Sequence, residues 1–241
     1  MTEQVALFPL GTVLFPGQLL PLHIFEPRYR QLVADLLSGD HPGPERGFGV
    51  IAIRIGRETG VDGVHALHAV GTFATLRAAS QHEDGRFDLV TQGDWRFRLR
   101  SLDQQSRPYT VADVERLPEP PDDDPEVCRG LADAVSRLHH DYRTSIGLRE
   151  VPHDASASEE VAGHIDPQRP GAGPDSPGAV AYRVAATTLL TVPDQQALLE
   201  APDDVSRLRA ERRLLRRELA LWRSLASLPD VGAARTPVGL N

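Results

Sequence analysis

The sequence predicts an α+β fold, in which a β-rich N-terminal part, residues 1–117, precedes a helical C-terminal part. Short apolar runs separated by turn residues fill the first part, which is typical of a closed or semi-closed β domain. Apolar residues at helical spacing fill much of the second part. With 241 residues, 40% of them apolar, the chain is long enough to bury a sizeable core.

The opening stretch, residues 7–33, is the most informative part of the chain. It reads LFPLGTVLFPGQLLPLHIFEPRYRQLV, with apolar runs at 5–8 and 18–24 around a turn-rich segment. A helix is predicted to begin at Pro27, whose fixed φ suits a first helical turn, and to end near Gly39. The pattern indicates short strands, tight turns and one helix that covers a small, curved sheet.

Strands are predicted through most of residues 47–117. Residues 82–85 form a hairpin turn signal, and Gly71 indicates a bulge or bend. Around residue 97, apolar residues alternate with arginines, which predicts one apolar face and one arginine face. The arginines of this strand are expected to pair with Glu26, Asp88 or Asp94.

Four segments are predicted after the β-rich part. Residues 118–126 are an acidic, proline-rich linker, and residues 127–228 are a helical subdomain. A mobile loop is predicted at 148–178 and a flexible tail at 229–241. The helices of the subdomain are expected at about 127–146, 179–190, 193–200 and 204–228.

The last of these helices carries a regular charge pattern. Asp203 is predicted to cap it. Asp203, Arg207 and Glu211 stand four residues apart and are expected to pair along one face.

The charged residues exclude several kinds of chemistry. All 26 basic residues are arginine, so no lysine can form a Schiff base, act as a general base or serve a phosphate-binding loop. The net charge of -8 disfavours indiscriminate binding to a phosphate backbone.

The single cysteine, Cys128, is interpreted as a small helix residue, and the start of the chain lacks signal-peptide features. A cytoplasmic chain is expected.

Neither a metal nor a cofactor is expected from the histidine spacing. His65 and His68 would point to opposite faces of a strand. His139 and His140 would diverge by about 100° on a helix.

Nucleic-acid binding has little support in the composition. The arginines at 207–217 have acidic neighbours, which favours a salt-bridged, solvated helix face. Aromatic residues make up only 5% of the chain, so stacking platforms are scarce.

The opening stretch resembles the start of the Lon protease substrate-binding (N-terminal) domain, above all its standalone form without ATPase or protease domains. Segments around 86–99 and 198–208 resemble later strands and the helical end of that family, so the resemblance covers roughly residues 5–225. The resemblance implies a PUA-like pseudo-barrel followed by a helical bundle. The lysine-free sequence cannot form a Lon phosphate-binding loop or Ser-Lys dyad, so the chain is not expected to be an enzyme.

The resemblance also implies a role in proteolysis: a non-catalytic protein- or peptide-recognition module that acts as an adaptor or chaperone-like factor. Its partners would be unfolded or client proteins and a separate protease or ATPase, with no membrane. The alternative is an RNA-binding PUA-like module.

The candidate binding residues come from the same opening stretch and from one later strand. An exposed apolar groove is predicted, lined by Phe15, His23, Tyr29 and Trp95. The remaining motif residues are expected to shape the backbone or to fix the helix to the sheet: Pro16, Gly17, Pro21, Glu26, Pro27 and Arg28.

Overall fold

The structure, a computed structural model, describes residues 2–43, 46–56, 64–120, 124–147 and 175–226. Its strands are β1 (Thr2–Leu10), β2 (Leu19–Ile24), β3 (Gly47–Gly56), β4 (Val64–Leu67), β5 (Val70–Gln81), β6 (Phe87–Asp103) and β7 (Val111–Arg116). Its helices are α1 (Pro27–Ser38), α2 (Pro125–Ser145), α3 (Pro177–Thr187), α4 (Val192–Glu200) and α5 (Asp204–Ala226). The predicted α+β class is confirmed.

Five strands form a closed ring in the order β1-β7-β6-β5-β3, and the parallel pairing of β3 with β1 closes it. The other pairings are antiparallel; β2 adds to β6 and β4 adds to β3. Gly49 lies where β3 passes close to the side chains of its neighbours, because a Cβ atom there would lie 2.8 Å from Leu7 and 2.9 Å from the ring of Phe97. The apolar pattern of β1 and β3 follows from burial on both faces of the ring.

Alternate residues of β1 enter different apolar clusters. Phe8 packs with α1, and its ring stacks on Tyr29 at 4.1 Å between centroids. Leu7 lies in a second cluster with Phe73 and Trp95. Helix α1 begins at Pro27 and ends at a left-handed Gly39, as predicted. Odd- and even-numbered residues of β1 are both apolar, so the strand packs against α1 on one face of the sheet and against the second cluster on the other face.

Helices α2, α3 and α5 pack around a separate apolar cluster that includes the buried Cys128. A fourth cluster joins the two parts of the chain, because Tyr182 of α3 and Leu198 of α4 pack with Phe15 and Val70. Among the described helices, none is long and apolar enough to cross a membrane.

Two helices begin earlier than predicted, because polar caps precede them. Asp124 accepts a hydrogen bond from the Val127 backbone, so α2 already begins at Pro125, inside the predicted linker. Ser176 caps α3 in the same way, so the last two residues of the predicted 148–178 loop are helical. Residues 148–174 and the predicted tail at 229–241 lie outside the described residues. The division into domains at 117 and 127 stays a prediction.

The predicted partners of the β6 arginines are wrong at Arg96 and Arg100. Arg96 is only 2% exposed because the C-terminal end of α4 lies against it, and it pairs with Glu119 at 2.8 Å instead of a strand carboxylate. Arg100 remains exposed and pairs with Glu115 of the adjacent β7. Strict alternation predicted the direction of these side chains, but not the helices that lie over one of them.

The predicted pairing along α5 is also wrong, although its N-cap is confirmed. Asp203 accepts a hydrogen bond from the Ser206 backbone at 2.7 Å. Arg207 pairs with Asp204 at 2.5 Å and donates to the Leu198 carbonyl at 3.0 Å. Glu211 is buried, and neither of its carboxylate oxygens has a hydrogen-bond partner. The end of α4 lies against this turn. Its carbonyl groups accept hydrogen bonds from Arg207, which the helix spacing had paired with Glu211.

Candidate functional site

The opening motif divides into a buried half and an exposed half. Along β2, side chains alternate in exposure, and Ile24 enters the core below α1. The exposed members, which we call the β2 surface, are Leu19, Pro21, His23 and Phe25. Phe25 is 54% exposed, although it is a large aromatic residue between a strand and a helix.

The β2 strand has one free edge. It pairs with β6, and no other described strand pairs with it. Pro21 lies in the middle of β2, opposite Val90. Because proline lacks an N–H group, it fits an edge strand with its nitrogen directed away from the neighbouring strand.

The start of α1 fixes the end of this surface. Pro27 occupies the first turn of α1, and the Arg28 guanidinium donates to Glu26, with 2.9 Å between Nη2 and Oε2. The same guanidinium lies 4.6 Å from the centre of the Tyr29 ring. These contacts hold the chain where it turns from β2 into the helix, directly after Phe25.

Three of the four residues predicted to line a groove are buried. Phe15 is fully buried and lies 6.3 Å from the Tyr182 ring, while Tyr29 packs on Phe8. Trp95 stacks on Phe73 at 4.7 Å, and it is buried as well. The exposure that the groove required is therefore present at His23 alone. Large apolar side chains in short strands near turns are drawn into the core, which sequence alone does not distinguish from a surface groove. The binding role of all four stays a prediction.

The turn before β2 is built by a close approach of two backbones. Pro16 is buried, and Gly17 has a φ of 81°, which is the left-handed region. The Gly17 N–H donates to the Gly93 carbonyl at 2.7 Å, and a Cβ atom at Gly93 would lie 2.3 Å from the Phe15 carbonyl oxygen. This contact places the start of β2 against β6.

A shallow, open depression of about 280 Å³ lies between α1 and the β5–β6 turn. It is lined by Pro27, Arg30, Gln31 and Ala34 of α1 and by Gln81, Gly85 and Phe87 of the hairpin. The lining holds no histidine, cysteine or carboxylate, so it does not offer the groups of general acid-base or nucleophilic catalysis. It does offer both apolar and polar side chains next to the exposed motif residues.

The side chains of His23, His82 and Asp88 converge beside Phe25; we call these three residues the histidine cluster. Asp88 accepts from Nδ1 of His23 at 2.6 Å through one oxygen and from Nε2 of His82 at 2.6 Å through the other. Arg86 donates from Nη1 to Nε2 of His23 at 3.2 Å. The His23 ring stacks with Phe25 at 6.4 Å between centroids.

The fold explains why these three residues meet. His23 in β2 lies directly opposite Asp88 in β6, and His82 follows β5 on the other side of the same strand. The hairpin is closed by hydrogen bonds between His82 and Arg86 and at Gly85, whose φ of 80° fits the tight turn. His23 and Asp88 are 65 residues apart in sequence. Sequence spacing therefore missed the cluster; only the register of β2 on β6 would have revealed it.

The charges around the cluster are predominantly negative. The hairpin from 81 to 88 holds Glu83, Asp84 and Asp88 against one cation, Arg86, which pairs with Asp84 at 2.6 Å. Hydrogen bonds from His23 and then from His82 hold the pKa of Asp88 below its ordinary value. The carboxylate thus stays ionised and accepts a hydrogen bond from each ring.

Taken together, the closed β ring, the unpaired edge of β2 and the shallow depression are features of a binding module. A family model described as the ATP-dependent protease La (LON) substrate-binding domain matches residues 4–217. The chain belongs to this family of substrate-binding domains, whose role at the level of the family is substrate recognition.

Relatives and solved structures agree with this assignment. The chain is 31% identical over 227 residues to Lon protease 2 of Sorangium cellulosum, covering 92% of the chain and 25% of that protein. It is 31% identical over 153 residues to Lon protease 1 of Thermus thermophilus, covering 64% of the chain and 18% of that protein. The chain thus spans about a quarter or less of these relatives.

Two solved structures share the fold. A Lon N-terminal domain protein from Xanthomonas campestris matches with a TM-score of 0.56 at 24% identity, covering 94% of the chain and 99% of that structure. The N-terminal domain of the Mycobacterium avium complex Lon protease matches with a TM-score of 0.59 at 16% identity, covering 90% and 98%.

Proposed function

We propose that this domain captures unfolded segments of client proteins at the β2 surface and acts as an adaptor or chaperone-like factor in proteolysis. The observation that carries the proposal is the exposed half of the opening motif, with the large aromatic side chain of Phe25 at its C-terminal end. A separate protease or ATPase would then process the captured client. Family membership supports recognition, and the local geometry supports the choice of surface.

Strand addition is the binding mode that suits this surface. An extended client segment would pair with the free edge of β2, where no other described strand takes up the backbone hydrogen bonds. Because Pro21 removes one donor from the edge strand, the added segment would lack one hydrogen bond there. Apolar contacts with Phe25 and Leu19 would supply the remaining affinity and would favour segments that carry apolar residues.

The charge of the chain would influence which segments bind. The net charge of -8 favours clients with basic residues beside their apolar segment, and it speeds their association at low salt. Such binding should be weak, because one strand edge and two apolar side chains form a small interface.

The experiment measures binding of a fluorescently labelled, permanently unfolded basic protein, reduced and carbamidomethylated ribonuclease A, by fluorescence anisotropy. Phe25→Ser and Leu19→Ser remove the apolar contacts. Leu189→Ser is the matched control, because Leu189 is 70% exposed but lies between α3 and α4. We expect the Kd to rise about tenfold in Phe25→Ser, which equals the loss of about 1.4 kcal/mol of apolar contact.

Equal Kd values for Phe25→Ser and the unchanged protein would contradict the proposed surface. A parallel titration uses a labelled single-stranded RNA. If RNA binds, weakens at raised salt and competes with the unfolded protein, the RNA-binding alternative takes the place of this proposal.

A further inference from the structure

We propose that the histidine cluster is a binding site for a zinc-like divalent transition-metal ion, with His23, His82 and Asp88 as its ligands. The carrying observation is geometric: one ligand atom from each of the three side chains lies within 4.8 Å of the other two. Two imidazole nitrogens and one carboxylate oxygen are a ligand set that zinc takes in proteins. The inference concerns a different chemistry from client capture and does not depend on it.

The ligand atoms of the three side chains are already close to the separations that a bound zinc ion requires. Zinc binds nitrogen and carboxylate oxygen at about 2.0–2.2 Å, so three ligand atoms around one ion lie about 3.3–3.6 Å apart. In the structure, Asp88 already contacts the two coordinating ring nitrogens at 2.6 Å each. An ion would enter between the rings and the carboxylate and replace two hydrogen bonds with three metal-ligand bonds.

No proton is gained or lost on coordination, because in each imidazole ring the proton moves from the coordinating nitrogen to the other one. A carboxylate can only accept, so a neutral His23 carries its proton on Nδ1 and a neutral His82 on Nε2. When these nitrogens bind the ion, each neutral ring holds its proton on the other nitrogen. For His23 this nitrogen is the one that accepts from Arg86, so Arg86 must leave the ring. Its ion pair with Asp84 can hold it away.

The scaffold and the local charge both favour a cation. His23 and Asp88 are fixed opposite each other by the β2–β6 register, and His82 is fixed by its backbone hydrogen bonds in the turn. The three carboxylates of the hairpin, Glu83, Asp84 and Asp88, lie near two guanidinium groups, that of Arg86 and that of Arg30, which reaches the turn at Gly85. The local balance is therefore about one negative charge.

An ion at this site would join β2 to the β5–β6 hairpin. The three protein ligands come from three strands or their ends, and they leave a fourth tetrahedral position open to water or to a donor from another molecule. The site lies beside Phe25 on the β2 surface. Binding of the ion would therefore stiffen the edge strand at its C-terminal end.

The test titrates zinc chloride into the untagged, chelator-treated chain at pH 7.5 and follows the heat of binding. His82→Gln and Asp88→Asn each remove one ligand. His140→Gln is the matched control, because His140 is an exposed histidine on α2. We expect one equivalent of zinc to bind, a loss of affinity of at least about tenfold in both ligand variants, and no change in the control.

A second readout uses cobalt(II), whose visible absorption reports tetrahedral coordination with nitrogen and oxygen ligands. The band should appear with one equivalent of cobalt and disappear in His82→Gln, while circular dichroism shows that the variant is folded. Absence of zinc binding in the unchanged chain, or binding that persists at full strength in both ligand variants, overturns the proposal.

Discussion

Two charged clusters in this molecule use similar hydrogen-bond lengths in opposite surroundings. The first, which we call the helix latch, consists of Arg96, Glu119, Tyr182 and Arg207. The second is the exposed histidine cluster on the β2 surface. Because the hydrogen-bond lengths are similar, we expect burial to decide how much each cluster contributes to the free energy of unfolding.

The helix latch connects the β ring to the helices. Arg96 donates to Glu119 at 2.8 Å and to the carbonyls of Leu199 and Ala201 at 2.6 and 2.7 Å. These carbonyls belong to the C-terminal end of α4, where carbonyl groups lack helical partners. In the histidine cluster, by contrast, Asp88 is exposed, and water can replace each of its partners.

The largest effect should come from breaking the helix latch at Arg96. Arg96→Ala removes a charged donor from Glu119 and from two carbonyls at the end of α4, and only Glu119 and Ala201 keep a second donor, from Tyr182 and Arg207 respectively. Removal of one partner of a buried pair costs about 3–5 kcal/mol in the free energy of unfolding. Urea unfolding followed by circular dichroism measures this loss. A change below about 1 kcal/mol would mean that solvent reaches the interface and compensates the lost charge.

The next effect isolates one hydroxyl group of the latch. Tyr182 donates from its hydroxyl to Glu119 at 2.8 Å, and its ring lies 4.2 Å from the Arg207 guanidinium. Tyr182→Phe keeps the ring and removes this charge-assisted hydrogen bond, so we expect a loss of about 1.5–3 kcal/mol. The same urea titration measures it. An unchanged midpoint would assign the role of Tyr182 to ring packing alone.

A third prediction concerns Glu211, which lies next to the latch. Burial raises its pKa well above the ordinary value of 4.5, and Arg207 offsets only part of that rise. The folded state therefore holds a proton that the unfolded state has released, so stability falls as pH rises above 4.5, by up to about 1.4 kcal/mol per pH unit. Glu211→Gln should flatten this fall in unfolding curves between pH 5 and 8. Parallel curves for the two proteins would show that Glu211 is ionised in the folded state.

The smallest effect should come from the histidine cluster. Hydrogen bonds from His23 and His82 lower the pKa of Asp88, so their stabilisation is present above its ordinary value of 3.8 and is lost as pH falls through the lowered pKa. Because Asp88 is exposed, Asp88→Asn should leave the thermal midpoint at pH 7 almost unchanged. Differential scanning calorimetry at pH 7 and at pH 3 checks this. A large fall in the thermal midpoint of Asp88→Asn at pH 7 would mean that the histidine cluster stabilises the fold, as the helix latch does.

The comparison also explains how far the sequence predicts this molecule. Local signals sufficed for α1, because Pro27 and Gly39 mark its ends, and for the cap of α5 at Asp203. They failed wherever distant elements meet. The partner of Arg96 was predicted among Glu26, Asp88 and Asp94, because alternation along β6 does not reveal the α4 end that lies against this residue.

The candidate site shows the same limit. Phe15, Tyr29 and Trp95 belong to patterns that predict an apolar surface as well as they predict a core, and packing against other elements decides between the two. Conversely, Phe25 was not among the predicted groove residues, yet it is exposed at the turn between β2 and α1. His82 and Asp88 had no local signal as a pair with His23, since their meeting depends on strand register.

The closure of the ring through β1 has a consequence for the chain as it leaves the ribosome. β1 is complete at Leu10, but its antiparallel partner β7 begins only at Val111. At about 5–20 residues per second, the intervening chain takes roughly 5–20 s to be synthesised. During that interval β1 is an apolar strand without its last partner. A domain that we propose to capture unfolded segments thus begins its own existence as one of them.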